Sequence, residues 1–369
     1  MTERPTSRRE FLHGRSAAEA LAGAVDQADC HTPPAASAPA TLTLTRRAMA
    51  CEFQVRLPAS PAENDTEAAL AALDAVETIE DRLTVYRSES EVQTLNREAA
   101  DGPAWVEPDV FELLALAERL HADTGGAFDI TSGPLSDTWG FSRRAGRVPT
   151  PHEIAGALAR VGWGGVALDP SAQTVRFATP ELRINFNSIG KGFALDAAGD
   201  VLNRHGVGSY LLHGGRSTLL AAGVAPGEPS EQRNESGGWG VGVRHPLRPS
   251  ERIAECRLRN AAFSTSGSAT QCFVHAGRRY GHLIDPRTGQ PVEGLHSVSV
   301  IAPTGAEADA LSTAFYVMGH EQAAAYCRNR PEVQALFVLP AAGANRVAVR
   351  GENLDHECWR LASHYCQPS

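Results

Sequence analysis

From Thr41 the chain reads TLTLTRRAMACEFQVRLP, two runs in which apolar and polar residues alternate, and this period of two predicts a β-hairpin. The period then lengthens. Leu73, Val76, Ile79 and Leu83 recur at helical spacing and predict a helix from about Asp65 to Arg82. A second helix is predicted from Pro108, in its first turn, to about Asp123. Val110, Leu113, Leu114, Ala117 and Leu120 form its apolar face, and Gly125 stops it. Further on, RINF (183–186) reads as a strand, residues 190–204 as an amphipathic helix through Phe193, Ala197, Val201 and Leu202, and SYLLHG as a strand, a βαβ-like unit. Residues 227–238 are polar and rich in Gly and Ser, as in a surface loop. Strands follow around WGVGVRHP and ERIAECRLRN, then a hairpin bent at DPRTG and a helix from about Gly305 to Met318. The elements lack the regular alternation of a doubly wound sheet, so the predicted class is α+β. No repeat of fixed period is present.

Composition narrows the function classes. The 369 residues are 42% hydrophobic and 21% charged, the balance of a globular protein with a sizeable core. A net charge of −9 and a pI near 5.8 argue against a nucleic-acid binder, which needs a basic face. No apolar run is long enough to predict a membrane-spanning helix. Seven cysteines are scattered without a CxxC pair, so neither a zinc ribbon nor a dithiol site is indicated. His356, Cys358, His364 and Cys366 crowd the C-terminus, where a tail packed on the body is the favoured reading over a metal site. Residues 1–40 are polar and form a segment outside the fold; residues 41–350 form the body and 351–369 the tail. Within that first segment SRREFLHG, with Arg8 and Arg9, resembles a twin-arginine export signal, although Arg15, Glu19, Asp26 and Asp29 interrupt the apolar stretch that should follow. Export to the cell envelope is the expectation, with a cytoplasmic tail as the alternative.

Four stretches carry candidate chemistry. Gly190-Lys191-Gly192 lies between the predicted strand and helix. It lacks the glycine and the Ser/Thr of a P-loop, since Asn185 and Gly192 occupy those places. Two readings fit it: an anion cradle made by unpaired helix-start amides near Ser188–Lys191 together with the Lys191 charge, or a plain turn. In PTGAEADALSTAFYVMG, Thr304 and Glu307 predict a capping box. There Ala308, Leu311, Phe315 and Met318 share one face, and Asp309, Ser312 and Thr313 share another. That polar triplet offers hard oxygens to Mg²⁺ or forms a solvated helix face. In RRYGHLIDPRTGQPV, Tyr280, His282 and Ile284 share a strand face before a Pro-Gly turn, and His282 can position a proton or a phosphate or simply pack. Finally, DTGGAFDITSGPL places two glycines, Phe128 and Asp129 in one loop, compatible with an aromatic cofactor against the backbone or with a helix stop.

Taken in order, these stretches resemble the FAD:protein FMN transferase family, the ApbE-type flavin transferases, from about Arg47 to Gly319. MACEF resembles the family's Met-Gly-Thr-x-Phe, LTVYRSESEVQTLN its Tyr-x-x-x-Ser-x-x-x-x-Leu-Asn, and TGGAFDITSGPL its Thr-Gly-Gly-Ala-Phe-Asp segment. YGHLIDPRTGQPV and APTGAEADALST resemble its His-x-Ile-Asp-Pro-x-Thr-Gly-x-Pro and Ala-Pro-Thr…Glu-Ala-Asp-x-x-x-Thr stretches. The resemblance implies an α+β, T-fold-related architecture with antiparallel sheets against helices and FAD in a cleft between two subregions. It implies Mg²⁺-dependent transfer of FMN from FAD to a Thr or Ser hydroxyl of an acceptor protein, with AMP released. Met49, Tyr86, Ala127, Phe128, Asp129, Asn185, Lys191 and Ile284 would contact the FAD. Ser188, Asp309, Ser312 and Thr313 would hold Mg²⁺, and His282, Lys191 and Asp309 would carry the catalysis. Three positions that are acidic in the family pattern are Asn185, Arg216 and Ser268 in this chain. Two alternatives stand beside this reading: an FAD pyrophosphatase, in which water replaces the acceptor at the same site, and a non-catalytic FAD-binding protein, which the lost acidic residues suggest.

Overall fold

A computed structural model describes residues 41–362, apart from 60–61, 63, 228–236, 269–270 and 344–345. The twin-arginine-like segment, Cys30, His364 and Cys366 lie outside the described residues. Strands β1 (Thr41–Ala48) and β2 (Cys51–Pro58) form the predicted hairpin. Its two-residue turn, Met49-Ala50, holds positive φ at both positions, 49° and 59°. That conformation matches the right-handed twist of the strands but suits glycine or asparagine better than either residue present. From β2, Phe53, Val55 and Leu57 point into the core, where Ala72, Leu73, Val76 and Ile79 of helix α1 (Asp65–Leu83) meet them.

Helix α2 (Glu91–Glu98), strand β3 (Ala104–Trp105) and helix α3 (Pro108–Asp123) follow. Short helices α4 (Gly133–Thr138) and α5 (Pro151–Leu158) lead to β4 (Val166–Asp169) and β5 (Thr174–Phe177), which join β3 in a small sheet. Then come helix α6 (Gly190–Arg204), β6 (Tyr210–Gly214) and β7 (Thr218–Ala222). Strands β8 (Trp239–Arg244), β9 (Arg252–Leu258) and β10 (Ala261–Gly267) precede two hairpins, β11 (Cys272–His275) with β12 (Arg278–Gly281), and β13 (Ile284–Asp285) with β14 (Gln290–Pro291). The chain closes with β15 (Ser297–Ala302), helix α7 (Gly305–Arg328), β16 (Gln334–Pro340), β17 (Val347–Glu352) and β18 (Trp359–Leu361).

One eight-stranded antiparallel sheet, in the order β1-β2-β6-β7-β10-β15-β16-β17, forms the middle layer. Helices α1, α6 and α7 cover one face through the main core. On the other face Leu211, Leu219, Phe263, Ile301 and Leu336 meet Trp239, Val241, Ile253 and Trp359 from a three-stranded sheet ordered β18-β9-β8. This is the α+β class, and β18 carries the C-terminal segment onto the body by pairing with β9.

Some local expectations need correction. Arg183–Phe186 is extended but belongs to no strand. A single buried side chain, Asn96, takes the place of a strand partner: the Ile184 amide donates to its Oδ1 at 2.7 Å, and its Nδ2 donates to the Ile184 carbonyl at 3.0 Å. Since β6 lies antiparallel between β2 and β7, there is no βαβ unit. The β12 strand ends at Gly281, so Tyr280 and Ile284 sit in different hairpins with His282 in the link between them. Both nevertheless pack on the small cluster of Trp139, Phe141 and Ile154. The predicted helix end near Met318 is met, since Gly319, with φ of 75° and ψ of 171°, leaves the helical conformation; a second helical stretch then runs on to Arg328 and is counted with it as α7.

Candidate active site

Helix α6 sets the geometry. Neither Gly190 nor Gly192 has positive φ, so the pair does not serve a tight turn. Gly192 is needed for another reason: a Cβ on it would fall inside the carbonyl of Gly305, and one on Gly305 would strike the Gly192 carbonyl. Two backbones therefore touch where α6 crosses the start of α7. Asp196, further along α6, fixes the crossing. Its carboxylate accepts the Gly305 amide at 2.6 Å and the Ala306 amide at 2.8 Å, satisfying helix-start donors that would otherwise be bare. Burial outweighs those bonds and lifts its pKa to about 7. Thr304 caps the same helix by accepting from the Glu307 amide at 3.2 Å. The Glu307 carboxylate meets the Thr304 hydroxyl, so the capping box is present by half.

This crossing brings Lys191 and Asp309 together. The lysine Nζ donates to the two carboxylate oxygens at 3.2 and 3.3 Å. Asp309, only 4% exposed, also accepts from the Gly192 amide at 3.2 Å and from the hydroxyls of Thr218 and Ser264 at 3.2 and 3.3 Å. A buried carboxylate is tolerable only with such partners. The solvated-face reading of the 309–313 triplet is thus overturned: Asp309 and Ser312 are buried against the sheet. Ser312 donates to the Asp309 carbonyl at 2.9 Å and touches Ser266 at 2.8 Å, and Ser266 reaches Thr313 at 3.1 Å. Strand alternation turns Thr218 of β7 and Ser264 and Ser266 of β10 toward α7. The sequence did not single out Thr218 or Ser264, because a hydroxyl on an apolar strand has no distinguishing pattern.

The pair opens on a cleft of about 2000 Å³. Tyr86, Ala127, Phe128, Asp129, Asn185, Ser188, Lys191, His282, Ile284, Asp309 and Thr313 all border it; Met49 and Ser312 do not. Tyr86 stands 76% exposed at the rim. Phe128 is almost wholly buried, its side chain packed in the main core. Asp129 is held by the Thr131 amide and hydroxyl at 2.7 and 2.6 Å, with His121 beside it at 3.4 Å. Asn185 uses its Oδ1 to accept the Asn187 amide at 2.9 Å, which shapes the turn carrying Ser188. Met49 instead packs at the edge of the main core.

His282 has its Nδ1 at 3.1 Å from the Gln271 carbonyl, so that nitrogen carries the proton and Nε2 keeps its lone pair. Burial, more than the nearby Lys191 charge, lowers its pKa below the ordinary imidazole value. Although the chain is acidic overall, ten Lys and Arg residues line the cleft against five Asp and Glu, the lining expected for an anionic ligand. Among the described residues no helix is long and apolar enough to cross a membrane.

The ApbE family model matches residues 49–337. The FAD:protein FMN transferase of Treponema pallidum is 33% identical over 283 residues, 73% of this chain and 77% of that protein. The Klebsiella pneumoniae protein of the same name is 30% identical over 322 residues, 85% of this chain and 89% of its own. Among solved structures, the apo flavinyl transferase ApbE of Pseudomonas stutzeri superposes with a TM-score of 0.72 at 31% identity, covering 85% of this chain and 95% of that one. The ApbE protein of Thermotoga maritima gives 0.74 at 28% identity, with coverage of 85% and 97%. A single model spanning most of the body, and relatives alike over most of both lengths, leave one conclusion: the chain belongs to the ApbE family.

Proposed function

We propose that the protein transfers FMN from FAD to a Thr or Ser hydroxyl of an acceptor protein and releases AMP. The observation that carries this reading is the Lys191–Asp309 pair, at 3.2 Å, set in a basic cleft with Tyr86 at its rim. Relatives named FAD:protein FMN transferase support it. In the reaction the acceptor O–H bond breaks, its oxygen bonds to the FMN-side phosphorus, and the bond from that phosphorus to the bridging oxygen breaks, the oxygen leaving with the electron pair as part of AMP. His282 takes the hydroxyl proton on Nε2, the nitrogen not committed to Gln271. Lys191 stabilises the charge that gathers on the phosphates.

The donor set suits Mg²⁺. Asp309, Thr313 and Ser188 offer hard oxygens to the cleft, and a magnesium ion takes its other ligands from water and substrate phosphates. Ser312, behind the wall, would orient Thr313 through Ser266. When bound, the ion offsets charge on the pyrophosphate oxygens. For the metal role, Asp309→Asn should still bind FAD while Mg²⁺-dependent turnover falls roughly a hundredfold or more. Unchanged turnover in that variant rejects the assignment.

The transfer itself is tested with FAD, Mg²⁺ and candidate acceptor proteins. Covalent yellow fluorescence on a denaturing gel, with AMP in equal amount, is the expected result. Free FMN alone would make the protein a pyrophosphatase, and intact FAD after long incubation a binding protein. Export through the Arg8-Arg9 stretch is part of the same proposal, and changing both arginines to lysine should keep the protein out of the envelope fraction.

A further inference from the structure

Of the positions where this chain departs from the family's acidic pattern, Arg216 is the one where the charge is reversed, and no step of the transfer described above uses it. It lies in the β6–β7 connection, where Gly215 and Arg216 hold φ of 59° and 63°. Hairpin connections with positive φ at successive positions favour Asn-Gly or Gly-Gly. An arginine in the second position therefore sits where glycine would be the easier residue. Such residues persist where the surroundings fix them, and they gather at ligand sites. No internal bond accounts for this one: among the described residues Arg216 makes no hydrogen bond or ion pair, and its exposed side chain borders the cleft.

The turn is fixed, and it is fixed beside the charged pair. The Gly215 amide donates to the Glu52 carbonyl at 3.0 Å, and the Ser217 carbonyl accepts the Thr265 amide at 2.9 Å. A Cβ on Gly215 would lie 3.8 Å from Cδ of Lys191, so the lysine stem runs against the residue just before Arg216. Two residues after Arg216, Thr218 donates to Asp309 at 3.2 Å. Arg216 is thus held between a position that touches the lysine and one that touches the aspartate. Those two charges offset each other at 3.2 Å. Both phosphates of FAD are ionised at neutral pH, so the pair alone leaves their charge unmet. The guanidinium of Arg216 is a cation not spent on the protein, and its planar fork of donors matches phosphate oxygens.

Resting on the transfer reading above, we propose that Arg216 is a second cation for the FAD diphosphate, and that it selects the dinucleotide over flavins without phosphate before any metal ion is bound. Its guanidinium takes phosphate oxygens while Lys191 stays with Asp309. The diphosphate is favoured over a carboxylate of the acceptor because the turn adjoins Lys191 and Asp309, where the phosphorus under attack must lie.

The test follows flavin fluorescence as FAD or riboflavin is titrated with the full chain, with a chelator present and no Mg²⁺. Arg216→Gly should bind FAD roughly tenfold more weakly than wild type, Arg216→Asp more weakly still, and Arg216→Lys between wild type and the glycine variant. Riboflavin should bind all four alike. Since glycine suits the turn, Arg216→Gly should unfold at the wild-type temperature or above it, which separates lost binding from a damaged fold. FAD affinity that ignores the charge at position 216 overturns the proposal, and so does an equal loss of FAD and riboflavin. Labelling of acceptor proteins with Mg²⁺ and saturating FAD supplies the remaining arm. If labelling falls in Arg216→Gly while FAD affinity holds, the charge reads the acceptor; this proposal falls and the transfer reading stands. If the variants bind FAD in the expected order but wild type releases no AMP with any acceptor, the transfer reading is the one that fails.

Discussion

At the scale of single residues, two positions carry costs that experiment can read. Ala50 occupies a left-handed position, with φ of 59°, that the family pattern fills with glycine. Ala50→Gly should therefore stabilise the fold by about 1 kcal/mol, measured by urea unfolding, against the usual expectation that added glycine weakens a protein. His282 is the second. Its pKa lies below the ordinary imidazole value, so the neutral, proton-accepting form survives to lower pH than a free histidine would. As pH falls, kcat/KM should hold through pH 6.5 and drop only beneath it. His282→Gln should lose roughly a hundredfold in rate and the limb with it. An acid limb above pH 6.5 would place the base elsewhere. The sequence disclosed the residue types of the site because short motifs record chemistry. It did not disclose burial. Asp309, Ser312 and Thr313 spell a solvated face equally well, and only Thr218 and Ser264, contributed by distant strands, decide against that.

Among the elements, the crossing of α6 and α7 governs the site. Gly192→Ala would ordinarily favour a helix. Here the new methyl meets the Gly305 carbonyl, and the variant should lose about 3 kcal/mol of unfolding free energy, with activity lost beyond what FAD affinity explains. A neutral or stabilising outcome would mean that the helices can part without harm. Legibility differed between elements for a physical reason. The β1–β2 hairpin, α1, α3 and α6 declare themselves through local periodicity and punctuation such as Pro108 and Gly125. The order of the strands does not, because β2 beside β6 and β7 beside β10 join segments far apart in the chain. RINF failed for a related cause: four alternating residues look alike whether their partner is a strand or the single side chain of Asn96.

At the scale of the whole molecule, charge is distributed against its total. The chain carries −9, yet cations outnumber carboxylates in the lining of its cleft. FAD affinity should weaken roughly tenfold from low to high salt, while riboflavin, which lacks the phosphates, should bind independently of salt. A salt-insensitive FAD titration would show that the cleft's cations are spent on the protein itself. Class and net charge were readable from composition and pattern; the inversion of sign inside the cleft was not, since it depends on which arginines the sheet gathers. The touching backbones of Gly192 and Gly305 have a last consequence. Lys191 adjoins that contact and Asp309 lies one helical turn from it, so a descendant of this protein cannot tune the spacing of its charged pair by degrees. Divergence in rate or partner is left to the loops and edges around the mouth, while the hinge of the chemistry is inherited whole or lost.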